Sequence, residues 1–274
     1  MSEFFYQIQQ MLSLQTMLYA LICGVLISVC AALLGVSLVL KRYSMIGDGL
    51  SHTAFASLAI ASALSFAPMA LTIPVVVISA FALLRLNEKG RMKGDALTAV
   101  ISTGALAIGT VAVSISGSNV DLNSYMFGSV LALSDSDLIA SAVLFIIVVP
   151  VYILMYNRIF SVTFDPSFAK ATGVNVSVYD SILALLSAVT IVVGMRFMGT
   201  LLISALIVFP AMTSMRVMKS FKGVVIMSSI LPVICFSFGL VASYFLDTPA
   251  GASVVCVSLI CFIGSCAVGF LKKR

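Results

Sequence analysis

Continuously apolar runs of about twenty residues follow one another from near residue 14 to near residue 270. A bilayer core about 30 Å thick is crossed by ~20 helical residues. The runs do not alternate apolar with polar, so they read as helices and not as barrel strands. Hydrocarbon offers the backbone no hydrogen-bond partner, and a helix satisfies every amide within its own segment. With 61% hydrophobic and only 9% charged residues, against about 25% charged in soluble domains, the chain is excluded from the soluble class. The expectation is an all-α polytopic membrane helical bundle. No hydrophilic stretch is long enough for a separate soluble domain, so residues 1–274 read as a single transmembrane domain. The start, MSEFFYQIQQ, carries Glu3 and no early Lys or Arg, unlike a cleavable signal peptide.

Charge sets the expected topology. Basic residues cluster at Lys41–Arg42, Arg85 to Lys93, Arg158 and Lys170, Arg216 to Lys222, and Lys272 to Arg274. Two apolar spans fit between consecutive clusters, so all can face the cytoplasm as the positive-inside rule requires. The spans are 14–40, 50–66, 69–86, 96–116, 138–156, 178–195, 198–215, 224–245 and 250–270, eight or nine in all. The amino end then lies outside and the carboxyl end inside. Glu3, Asp121, Asp135, Asp137 and Asp247 fall outside, and Arg196 sits at the outer end of its helix, reaching into the interface. The segment 118–137 reads as a short helix or re-entrant loop near the outer face.

The stretch KRYSMIGDGLSHTAFASLAIA, residues 41–61, carries the most chemistry. Asp48 and His52 are four apart and share one face of a helix. An aspartate within a membrane helix costs about 2.5–3.5 kcal/mol on insertion scales. His52 is the sole histidine. Carboxylate with imidazole suits zinc and other first-row divalent metals. The plainer alternative is that Asp48 caps its helix while His52 donates to a backbone carbonyl. Two ligands are too few for a tetrahedral site, but a twofold axis would bring two such pairs together.

In RIFSVTFDPSFAKATGVNVS, residues 158–177, Asp165 suits a helix cap, Pro166 the first helical position and Gly173 the exit. The turns between expose Phe164, Phe168 and Lys170, a shape fit to dock a partner; an ordinary loop is the alternative. In residues 193–214, Gly199, Ser204 and Ala205 allow close helix packing, and Pro210 frees a carbonyl. The six cysteines lie in apolar runs without a CxxC and read as packing residues. The sequence holds no GxxxxGK[ST], HExxH or GxSxG, which argues against a P-loop ATPase, a metalloprotease and a serine hydrolase. Nothing basic and aromatic suits nucleic acid.

Five segments in order, KRYSMIGDGLSH, LNSYMFGSVLALS, FDPSFAKATGV, MGTLLISALIVFPAMTS and YFLDTPAGASVV, give the chain a resemblance to permease subunits of bacterial ATP-binding-cassette importers for zinc, manganese and iron. The resemblance runs almost end to end. It implies a fold like that of type II importer permeases in the bacterial inner membrane, and pairing of two permease copies. It implies two cytoplasmic ATPase subunits, which hold the ATP, and an external solute-binding protein that delivers the metal. This chain would bind no cofactor and perform no catalysis, the divalent ion being its cargo. Asp48 and His52 match the polar pair of the family's translocation path. Phe164, Asp165, Pro166, Phe168, Lys170 and Gly173 match its ATPase-coupling helix. Thr53 and Ser57 stand where the family often has Ala and Gly, in the same region as the pair. SYMFG places zinc ahead of manganese. A secondary transporter, which would carry its own coupling site, and a permease for a metal chelate such as cobalamin or a siderophore are the rival readings.

Overall fold

The computed structural model describes residues 9–11, 13–88, 94–116, 126–128 and 133–271. Asp121, Glu3, the basic residues at 89, 91, 93 and 272–274, and most of segment 118–137 lie outside them. The described residues form ten helices: α1 (Gln15–Leu40), α2 (Ile46–Ala63), α3 (Pro68–Glu88), α4 (Gly94–Ser116), α5 (Asp135–Leu154), α6 (Tyr156–Phe164), α7 (Pro166–Ala171), α8 (Val176–Val217), α9 (Phe221–Leu246) and α10 (Ala250–Leu271). They belong to two compact units. One comprises Met1–Val36, Asn123–Val149 and Val193–Arg274; the other comprises Ser37–Leu122 and Pro150–Val192.

Among the described residues, seven helices are long and apolar enough to cross a bilayer, fewer than the eight or nine expected. Two physical reasons account for the difference. The expected span 50–66 is α2, which is not among the seven. It is rich in Gly, Ala, Ser and Thr, and nearly every residue from Ile46 to Ala61 is buried. A helix covered by protein on almost all sides has no need of a lipid-facing apolar surface. The expected spans 178–195 and 198–215 form the single element α8, of 42 residues. A straight helix of that length would run about 63 Å, twice the bilayer core.

α8 is not straight. Gly199 has φ 79° and ψ 166°, outside any helical conformation. A Cβ built on Gly194 would lie 2.6 Å from Ile203 Cδ1, whereas nine residues of straight helix separate two positions by ~13 Å. The chain therefore folds back on itself at Gly199. Backbone meets backbone at this turn. A Cβ on Gly199 would stand 2.5 Å from Met126 O, one on Gly128 (φ +82°) 2.4 Å from Phe197 O, and one on Gly251 2.3 Å from Phe127 O. Three glycines from distant stretches thus share one point of contact, and two hold a positive φ that a side chain resists. Helix proximity, expected at Gly199, is only part of its role; the turn itself depends on it.

In the other unit, α2 packs on both α3 and α4, most extensively on α4. Gly49 allows that approach, since a Cβ there would fall 2.7 Å from Thr98 Cγ2. Gly109 repeats the arrangement two turns on, against Phe55 at 2.7 Å.

Gly199→Ala should lower the melting temperature of the detergent-solubilised protein by about 5 °C, from backbone strain of ~1–3 kcal/mol. Gly104→Ala, where a Cβ meets nothing within 4 Å, should leave it unchanged. Equal melting temperatures for the two variants would contradict the turn.

Candidate metal path and docking segment

α2 starts at Met45, whose side chain makes no capping hydrogen bond, and Asp48 lies in the first turn. Asp48 does not cap the helix, which removes the plainer alternative for that residue. Its carboxylate faces two groups instead. His52 Nε2 stands 3.4 Å from Asp48 Oδ1, one turn along the same face. Ser102 Oγ, from α4, donates to Asp48 Oδ2 at 2.7 Å. The pair is sheltered without being sealed, with His52 15% and Asp48 41% exposed in their side chains. His52 Nδ1 is buried without a hydrogen-bond partner among the described residues.

Thr53 and Ser57 are buried in the same helix, but they do not offer oxygens to the pair. Thr53 Oγ1 donates to Gly49 O at 2.8 Å, and Ser57 Oγ donates to Thr53 O and Ala54 O. Their hydroxyls are spent on their own helix, which satisfies them in a buried setting.

The candidate docking segment is built as its residue types dictate. Asp165 Oδ1 accepts from Phe168 N at 2.9 Å, Pro166 opens the six-residue helix α7, and Gly173 leaves it with φ +81°. The amides of Gly173 and Val174 close the exit on Lys170 O and Ala169 O. Ala169 is fully buried against Val162, Val174, Val176 and Tyr179, which anchors one side of the turn. Phe164 and Phe168 point the other way and are 56% and 60% exposed. Phe164, whose ring centroid lies 4.9 Å from that of Phe160, and Phe168 are large exposed aromatics beside a capped turn and form an apolar knob.

A cavity of about 800 Å³ opens beside this knob, lined by Lys41, Tyr43, Thr163, Lys170, Asn175 and Asp180, among others. Lys41 Nζ pairs with Asp180 there, and both side chains are mostly buried. Asp180 was not legible as a site residue, because an isolated acid early in a helix carries no spacing signal. Ser102 was missed for a similar reason: a lone serine in an apolar run reads as packing.

In the other unit, the Arg196 side chain, expected to reach into the membrane interface, is about half exposed. Its Nη1 pairs with Asp137 Oδ1 at 2.7 Å, and the Asp137 side chain is only 8% exposed. Asp137 also accepts from the amide and hydroxyl of Ser134. Tyr19 donates to Asp135 at 2.7 Å. These acids organise the ends of helices and are not simply a wet fringe. Cys235 and Cys261 lie with their sulfurs 3.7 Å apart, in contact as packing residues.

Residues 13–269 match the model of the ABC 3 transport family. The chain belongs to the ABC 3 transport family. It is therefore a transport permease, and the likeness extends over nearly its whole length. It is 33% identical over 245 residues to the high-affinity zinc uptake system membrane protein ZnuB of Haemophilus influenzae, covering 89% of this chain and 94% of that protein. It is 28% identical over 259 residues to the manganese import system permease protein ScaB of Streptococcus gordonii, covering 93% of each. The fold is similar to PsaBC from Streptococcus pneumoniae in complex with Fab, with TM-score 0.83 and 25% identity, over 96% of this chain and 94% of that one.

Loss of either partner of the Lys41–Asp180 pair leaves a mostly buried charge alone. Lys41→Met and Asp180→Asn should each lower the melting temperature, and the double variant should recover part of the loss. The cycle should report a coupling of about 1–3 kcal/mol; simple additivity would show that the pair does not bind the segments together.

Proposed function

We propose that this chain is the membrane-spanning permease of an ATP-binding-cassette importer that carries a divalent metal ion into the cytoplasm, zinc ahead of manganese or iron. The observation that carries the reading is the Asp48–His52 pair on the buried helix α2. A half-exposed carboxylate beside a mostly buried imidazole, on a helix rich in small residues inside a membrane protein, supports a path for a cation. Two ligands each ~2.1 Å from a metal stand about 3.4 Å apart at the tetrahedral angle and nearer 3 Å at 90°. Asp48 Oδ1 and His52 Nε2, 3.4 Å apart, stand close enough to share one cation. The 33% identity to a protein named for zinc uptake points the same way.

The mechanism follows from placing these parts in sequence. Two copies of this single transmembrane domain, 1–274, pair in the bacterial inner membrane with amino ends outside and carboxyl ends in the cytoplasm. A solute-binding protein delivers the ion at the outer face. Asp48 and His52 from each copy hold it briefly; a pair open to exchange passes the ion on where a closed four-ligand cage would trap it. Two ATPase subunits receive the knob formed by Phe164, Asp165, Pro166, Phe168, Lys170 and Gly173, so that ATP binding moves α7 and reshapes the path. This chain performs no chemistry on the ion and leaves ATP hydrolysis to its partners.

The test is ATP-dependent uptake of zinc and manganese into vesicles holding this chain and its ATPase. Asp48→Asn and His52→Ala should each cut uptake by at least tenfold with the ATPase still bound. Phe164→Ala with Phe168→Ala should instead release the ATPase. Undiminished uptake in both site variants, with the complex intact, would remove the pair from the path.

A further inference from the structure

Many hydroxyls of this protein's membrane helices follow one habit, though not all do, since Ser37 meets Tyr152 and Ser228 reaches Pro210 O. Thr53, Thr72, Ser79, Thr110, Ser141, Thr190, Ser229, Ser237 and Ser258 each donate to the carbonyl four residues earlier in their own helix. That bond is the cheapest way to satisfy a hydroxyl away from water. Ser102 departs from the habit. It is 8% exposed, and its hydroxyl crosses from α4 to α2 to reach Asp48 Oδ2 at 2.7 Å. A bond of that length from a hydroxyl to a carboxylate belongs to the strong, charge-assisted kind. The approach that permits it is built in, since Gly49, next to Asp48, sets α2 against Thr98, one turn before Ser102.

The two oxygens of Asp48 are thereby made unequal. Oδ2 is engaged by Ser102, and Oδ1 faces His52 Nε2. A cation arriving at the pair meets one oxygen. Tetrahedral zinc sites take carboxylates in this way, whereas cations of higher coordination number gain from a carboxylate that gives both oxygens. We propose that Ser102 is a specificity-determining positioning residue: by holding Asp48 Oδ2, it presents Oδ1 alone to the transported metal and so favours cations of low coordination number. The proposal rests on the reading of Asp48 and His52 as the metal path. Ser102 acts through Asp48 and does not itself touch the ion.

The experiment is uptake by the complete importer in vesicles, with zinc and manganese each supplied alone over a range of concentrations. Wild type, Ser102→Ala, Ser102→Thr, Ser102→Cys and Asp48→Asn are compared at equal amounts of assembled complex. Ser102→Ala should raise the zinc KM about tenfold, the usual consequence of losing a group that orients a ligand. Its maximal rate should stay within about twofold, and the ratio of manganese to zinc uptake at low metal should rise severalfold. Ser102→Thr keeps the hydroxyl and should retain the wild-type ratio. Ser102→Cys preserves packing with a weak donor and should shift the ratio in the same direction as Ala, which covers the case in which the Ala variant fails to assemble. An unchanged zinc KM and ratio in the Ala and Cys variants, with uptake abolished in Asp48→Asn, would overturn the role of Ser102 and leave the metal path intact. Uptake retained in Asp48→Asn would overturn the metal path and this proposal with it.

Discussion

Hydrocarbon gives a polar group nothing to bond with, and the consequences of that fact run through the whole molecule. Backbone amides are satisfied within helices, and most hydroxyls turn back onto their own carbonyls. The charged side chains of several helices are instead met by other side chains. Asp48 is met by His52 and Ser102, Asp137 by Arg196 and Ser134, and Lys41 by Asp180. The same fact explains why the helix carrying the site is the least lipid-like. α2 is clothed by its neighbours on nearly every side, so its surface can be polar and small where the surfaces of α3 and α4 cannot.

Small residues are the second device, and they work by removing side chains from between backbones. Gly128, Gly199 and Gly251 lie in three separate motifs, yet each would drive a Cβ into the backbone of another of those segments. The fold-back of α8 is held by that contact, and Arg196, three residues before the turn, is fixed to Asp137 on α5. Gly49 does the same service at the candidate site, where the close approach of α4 brings Ser102 within reach of Asp48.

The capped segment around α7 obeys more local rules. Its cap, its opening proline and its exit glycine act within a dozen residues, and its one tertiary requirement is the small pocket of Val162, Val174, Val176 and Tyr179 that receives Ala169. The Lys41–Asp180 pair ties the residue just after α1 to the start of α8. Both partners of that pair lie in the compact unit that also holds Asp48 and His52.

The sequence alone determined what depends on short range and on solvent. The helical class followed from apolar runs, and the capped turn at 165–173 from residue types whose preferences act through adjacent atoms. The shared face of Asp48 and His52 followed from helical periodicity. Tertiary structure decided what depends on which helices touch. Hydropathy could not show that α2 is buried on nearly all sides, since a polar helix inside a protein and a weakly apolar one in lipid read alike. It also could not show that 178–195 and 198–215 join at a glycine turn in one element, because a positive φ leaves no trace in composition. Ser102 and Asp180 stayed hidden because a single hydroxyl or carboxylate acquires meaning only from its partner. Those partners lie 54 and 139 residues away in the chain, a separation that no local pattern spans.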